Sequence, residues 1–204
     1  YLRRWALPAA AFVAGALLFG GGYLAGRALE VALPATTLSY VPVATERALE
    51  AFPAWSPNGR QIAYSAEVDG TFQIFTRDLN SGEVHQLTAS EADSLFPIWA
   101  PDGDGVFYIM SAGAQSSLWV SRKAGHEPVL IAPDVLQAAL SGDGRRLSMV
   151  RRMDRRLVIL LAPSDHPSAA RPVAEFPGGT SAHLRFAPDG GELAVWVASG
   201  GRGS

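Results

Sequence analysis

Hydrophobic and polar residues change rhythm once along this chain of 204 residues. From Trp5 to Gly26 the run WALPAAAFVAGALLFGGGYLAG carries no formal charge. About 20 apolar residues, each rising about 1.5 Å, cross a bilayer core, so the length predicts one transmembrane helix over 5–26. Trp5 and Tyr23 stand near its ends, where amphipathic rings prefer the headgroup layer. Arg3 and Arg4 precede the run, while Arg27 and Glu30 follow it. Positive charge is retained inside, which puts the N-terminus in the cytoplasm and the remainder outside it, at the inner membrane. The alternative is a cleavable signal peptide with Ala9 to Phe19 as its apolar core. No clean small-x-small cleavage site stands just after that core, the apolar run is long, and either reading exports what comes next. Gly22 and Gly26 have helix-packing spacing, which chance readily supplies in a segment so rich in Gly and Ala.

After the run the pattern shortens to strand-length pieces, and it repeats. W55-S-P-N-G-R-Q-I-A-Y-S65, W99-A-P-D-G-D-G-V-F-Y-I109, L140-S-G-D-G-R-R-L-S-M-V150 and F186-A-P-D-G-G-E-L-A-V-W196 align. Gly59, Gly103, Gly144 and Gly190 are separated by 44, 41 and 46 residues. A period of about 40–50 with short strands predicts propeller blades, not a helical solenoid. The motif itself is a tight turn. Pro57, Pro101 and Pro188 pre-set φ for the second position of a type I turn. Asn58, Asp102, Asp143 and Asp189 bond back to the backbone, and the glycine after each takes positive φ. I62-A-Y64, V106-F-Y108, L147-S-M149 and L193-A-V195 then alternate large and small residues, as strands between packed sheets do.

A second hairpin completes each early blade. F72-Q-I-F75 and V84-H-Q-L87 flank N80-S-G82; L118-W-V120 and V129-L-I131 flank A124-G125. L157-V-I-L-L161 and V173-A-E-F176 flank a polar loop from Pro163 to Pro172. The predicted fold class is all-β: a partial β-propeller of three four-stranded antiparallel blades plus part of a fourth, after one transmembrane helix. The blades are placed at about 51–89, 95–132, 135–177 and 181–198, with residues 27–50 as a linker.

The W-S-P-N-G-R-Q-I-A-Y and W-A-P-D-G stretches resemble the WD40-like repeats of the TolB-type β-propeller, over roughly residues 38–198. Gly142 replaces proline in the third copy, and Leu140 and Phe186 replace tryptophan. The resemblance implies a toroid whose repeats bind or scaffold. Leu38 to Val43 alternates like an outer strand and has no inner strands before it, so it is expected to close the ring by completing the final blade. At about 43 residues per blade, six or seven blades need roughly 260–300 residues, so the chain holds little more than half a ring.

Composition removes several classes of function. The chain has no cysteine, which excludes disulfides, thiolate metal sites and a cysteine nucleophile. Lys123 is the one lysine. No G-x-S-x-G elbow, kinase loop or Walker sequence occurs. Of the histidines, His85, His126, His166 and His183, none has a ligand-spaced partner, and all read as surface or loop residues. D102-G-D104-G hints at a calcium loop but lacks the later oxygen donors and the closing glutamate, so it reads as a glycine turn. The catalytic, cofactor and metal assignments are therefore none. Arg145, Arg146, Arg151, Arg152, Arg155 and Arg156 form the most unusual cluster, read mainly as solvated rim. The whole chain carries a net charge of −2, and the part after Arg27 is more acidic still, so a nucleic-acid partner is not expected.

What remains is a binding module with a protein or peptide partner at the propeller face. Tyr1 is not a methionine and the chain ends in a glycine-rich run, so a longer protein is expected around it. Proteins resembling this layout often carry a cytoplasmic serine/threonine kinase or a winged-helix DNA-binding domain before the anchor. The alternatives are the propeller of a type II membrane peptidase of the prolyl-oligopeptidase kind, and a periplasmic TolB-like envelope protein.

Overall fold

The computed structural model describes residues 49–122 and 127–199. The anchor over 5–26, the ring-closing strand at 38–43, Lys123, the A124-G125 turn and His126 lie outside the described residues. Among the described residues, no helix is long and apolar enough to cross a membrane.

The architecture is four antiparallel sheets, each formed by strands consecutive in the chain. The first contains β1 (Glu50–Trp55), β2 (Gln61–Val68), β3 (Thr71–Asp78) and β4 (Val84–Gln86). The second contains β5 (Asp93–Trp99), β6 (Val106–Ala112), β7 (Gln115–Ser121) and β8 (Val129–Pro133). The third contains β9 (Gln137–Leu140), β10 (Arg146–Met153), β11 (Arg156–Pro163) and β12 (Arg171–Pro177). The fourth is the pair β13 (Gly179–Phe186) and β14 (Leu193–Ser199). The loop expected between Pro163 and Pro172 is shorter, because both prolines join the strands. Pro172 pairs with Leu160 on the edge strand β12, where its missing N–H costs no ladder bond. The only helical element described is a single 3₁₀ turn, Pro167–Ala169, in that loop.

The turn motif explains why the first two strands of each sheet meet. Gly59, Gly103, Gly144 and Gly190 donate their N–H to the carbonyls of Ser56, Ala100, Ser141 and Ala187 at 2.8–2.9 Å. Each glycine has φ between 66° and 75°. One residue further on, the N–H of Arg60, Asp104, Arg145 or Gly191 donates to the side-chain oxygen of Asn58, Asp102, Asp143 or Asp189. Ser56 and Ser141 tighten their turns further. Each hydroxyl donates to the Asn or Asp side chain and accepts the N–H of Gln61 or Arg146. The Ser141 hydroxyl holds the exposed Asp143 carboxyl below its usual pKa. Beyond these turns, β2 and β3 are joined by Asp69-Gly70, both at positive φ. That Asp-Gly pair is a strong short-range hairpin signal.

Each sheet packs on the next. Ala63 and Ile74 of the first sheet meet Val106 and Tyr108 of the second. Ile109 and Leu118 of the second meet Leu147, Met149 and Val158 of the third. Val150, Leu157 and Ile159 of the third meet Ala182 and Leu184 of the fourth. Strand β10 is thus buried on both faces, Leu147 and Met149 on one and Val150 on the other. Burying each such side chain contributes roughly 1.5–3 kcal/mol. The turns also touch. A Cβ on Gly144 would lie 2.8 Å from Pro101 Cγ, and one on Gly142 would lie 3.3 Å from the Pro188 carbonyl. Gly142 therefore stands where the other copies have proline because the following turn passes close by.

Substitution of two motif glycines separates backbone conformation from close approach. Gly59→Ala, with open space around its Cβ, should lose about 1 kcal/mol from positive φ alone. Gly144→Ala should lose clearly more because Pro101 must shift. Urea unfolding midpoints measure both, and equal losses would show that the turns do not press on one another.

Candidate functional site

The boundary between the first and second sheets is the most elaborated part of the described structure. Phe52-Pro53-Ala54-Trp55 and Phe96-Pro97-Ile98-Trp99 extend the repeat upstream of the turns. Phe52 and Phe96 both adopt left-handed φ, 56° and 57°, and each sits in a register shift of its strand. Bulges re-aim side chains, and a bulky residue at positive φ costs roughly 1–3 kcal/mol and persists only where its surroundings enforce it. Here the two rings pack at 4.3 Å between centroids. Three residues on, the Trp99 indole N–H donates to the Ala54 carbonyl at 3.0 Å and fastens the second sheet to the first. Trp55, its counterpart one repeat earlier, is 64% exposed, and Phe52 is 43% exposed.

A polar strap runs along the same boundary. The Thr88 hydroxyl donates to Gln73 Oε1 and accepts the Ile74 N–H, both at 2.8 Å. Gln73 Nε2 donates to the Ser90 carbonyl, and the Phe72 N–H donates to Asp93 Oδ1. The segment connecting β4 to β5 is thereby bound back onto β3. The hydroxyls of Ser65, Ser94, Tyr108 and Ser121 are buried without a hydrogen-bond partner among the described residues. Burial pushes the Tyr108 phenol up to about 12.

His85 and Asp104 line one cleft between the first two sheets, and the other residues singled out from the sequence are dispersed. His85 lies on the short edge strand β4, 3.3 Å from Glu83. His166 is 3.1 Å from Asp165 in the 3₁₀ loop, and His183 packs against Trp196. Asp102 is occupied in its own turn, accepting the Asp104 N–H. Among the described residues, no group of three or more His, Asp and Glu gathers as a metal site. The arginine cluster separates along β10, whose eight residues span about 23 Å. Arg145 and Arg146 stand at the turn end, where Arg146 lies over the Phe186 ring at 5.9 Å. At the other end Arg152 donates to the carbonyls of Gly179 and Thr180, and Arg156 pairs with Glu175 at 2.9 Å. Arg146 and Arg152 both tie the third sheet to the fourth. Their role is in packing, which the linear run of arginines did not reveal. The Phe-Pro-x-Trp repeat, legible in the sequence just upstream of the turn motif, marks the boundary better.

Comparison with known proteins places this arrangement. No family model matches the chain. Over 100 residues it is 29% identical to the uncharacterized peptidase YuxL of Bacillus subtilis, covering 47% of this chain and 15% of that protein. Over 63 residues it is 32% identical to the Tol-Pal system protein TolB of Francisella tularensis, covering 31% of this chain and 14% of TolB. The chain thus spans a small part of the curated relatives it matches. The crystal structure of TolB from Acinetobacter baumannii superposes with a TM-score of 0.61 at 16% identity, over 74% of this chain and 38% of TolB. The solved neighbours are TolB-like β-propellers, and the four sheets share that fold.

The buried phenol yields a direct test. Because the folded-state pKa of Tyr108 is raised, its contribution to stability is complete below the unfolded value near 10 and is lost as pH rises through about 12. Titration at 295 nm should show at least one of the five tyrosines still protonated near pH 11, ionising only with unfolding. Ionisation of all five around pH 10 in the folded protein would contradict the burial.

Proposed function

We propose that residues 50–199 are a non-catalytic protein-binding segment of a β-propeller, held outside the cytoplasm by an anchor over Trp5–Gly26. On this reading the whole protein is a bacterial receptor-like serine/threonine kinase or winged-helix regulator, and this part is its sensing and interaction end. The observation that carries the binding role is the four-fold Asx-Gly turn repeat on sheets that share the TolB fold. A relative in the same comparison is named as a component of the Tol-Pal system. The anchor and its orientation are supported by the uncharged run and by Arg3 and Arg4 before it. Fold likeness alone does not assign chemistry, so kinase and regulator rest on the layout of anchor followed by propeller.

A second reading has its own observation. Identity to YuxL extends over 100 residues of this chain, which favours a propeller that precedes a peptidase domain. The reading frame around the chain separates the two. H-R-D and D-F-G motifs or a recognition helix before Tyr1 support the regulator, and a G-x-S-x-G stretch after Ser204 supports the peptidase.

Protease added to intact spheroplasts should cut within residues 50–199 while a cytoplasmic marker stays whole. Protection of both would reverse the orientation. The purified chain should hydrolyse no peptide substrate; turnover that a point change within it abolishes would make it an enzyme.

A further inference from the structure

A cleft of about 310 Å³ opens between the first and second sheets, near the second turn motif. That volume is at the lower end of the range for small-molecule sites. From the first sheet it is lined by Gln61, Thr76, Leu87 and His85, whose imidazole lies 3.3 Å from Glu83, and from the second by Trp99, Asp104, Val106, Ser121 and Arg122.

The internal repeat shows what ordinary packing requires at this place. Thr76 pairs with Ala63, four residues beyond Gly59. Four residues beyond Gly103 is Phe107, whose partner is Val120. Ser121 pairs with Val106, three residues beyond Gly103, and the matching Leu147 beyond Gly144 pairs with Ala162. Where the first boundary presents Thr76 and Ser121, the second therefore presents Val120 and Ala162. There the turn is also closed, with Pro101 pressed on Gly144. Hydroxyls and an open cleft are thus not demands of sheet stacking. Ser121 is 1% exposed and its hydroxyl has no partner among the described residues, a state that folded proteins rarely leave without a reason.

The lining also limits the ligand. Asp104 and Arg122 make no ion pair within the described residues, and their opposite charges leave the pair neutral. A free carboxylate would face Asp104, and an ammonium would face Arg122. Donors and acceptors alternate beside an indole whose N–H is already committed to Ala54, so the ring offers only apolar contact. A neutral ring with many hydroxyls and one C–H face satisfies all of these groups together. We propose that the cleft binds a single pyranose sugar unit. Asp104 and Gln61 accept from its hydroxyls, Arg122 donates to them, and Trp99 supplies the apolar wall.

Saturation-transfer NMR on the full chain tests this, with glucose, galactose, mannose and N-acetylglucosamine as probes and acetate and ethylammonium as charged controls. At least one sugar should receive saturation, and the charged controls should not. Asp104→Asn and Gln61→Ala should each weaken that sugar about 5–10-fold, as expected for loss of one hydrogen bond. Asp104 is exposed on a turn, and the Gln61 amide makes no hydrogen bond within the described residues, so thermal unfolding should be unchanged. Silence from all four sugars, affinity in both variants unchanged from that of the original chain, or preference for acetate or ethylammonium would overturn the proposal. The protein-binding reading rests on the repeat and would survive that failure.

Discussion

Everything in the described fold depends on a four-residue turn that must fit twice. Within its own sheet, the Asx side chain and the left-handed glycine reverse the chain between the first two strands. Between the second and third sheets, that glycine in the third copy, Gly144, must also leave room for the neighbouring turn, whereas Gly59 and Gly103 have open space. Pro101 lies against Gly144, and the Pro188 carbonyl lies beside Gly142. A side chain at Gly144 would therefore disturb a hairpin and a sheet boundary at once. Local conformation and tertiary spacing make the same demand there, and such agreement is what lets a repeat specify one arrangement.

The boundaries then diverge in chemistry. The second is a dry contact of Ile, Leu, Met and Val. The third adds two arginines that reach across to the fourth sheet, one over a phenyl ring and one onto backbone carbonyls. The first carries the left-handed phenylalanines, the indole-to-carbonyl bond and the Gln73–Thr88 strap. It also holds the unpaired hydroxyls and the polar cleft. Polar groups taken into a sheet boundary cost stability unless something bonds them. Their concentration at one boundary out of three makes that boundary the place where this molecule departs from pure stacking.

Function follows the same division. The repeated turn and the packed sheets connect the chain to TolB-like propellers, in which fold is shared by proteins of different activity. Large exposed aromatics, Trp55 and Trp196, stand on the first and last described sheets at 64% and 60% exposure. The interaction role proposed here draws on that shared scaffold. The sugar site draws on side chains that the scaffold does not require.

The four turns, the strands after them and their division into successive sheets were legible in the sequence, because Asx-Gly chemistry and two-residue periodicity act over a few neighbouring positions. Gly59, Gly103, Gly144 and Gly190 announce themselves by type and spacing alone. Tertiary structure alone decided what the other residues do. Six arginines close in sequence were parted by the length of β10: Arg146 and Arg152 reach the fourth sheet, while Arg156 pairs with Glu175 inside the third. Gly142 looked like a missing proline and is a point of close approach to a residue 46 positions away. Thr76, Trp99 and Ser121, unremarkable as a set in the sequence, line one cleft because β3, β5 and β7 converge there. Such contacts depend on which face a strand turns to its neighbour and on what that neighbour carries, and no local pattern encodes both.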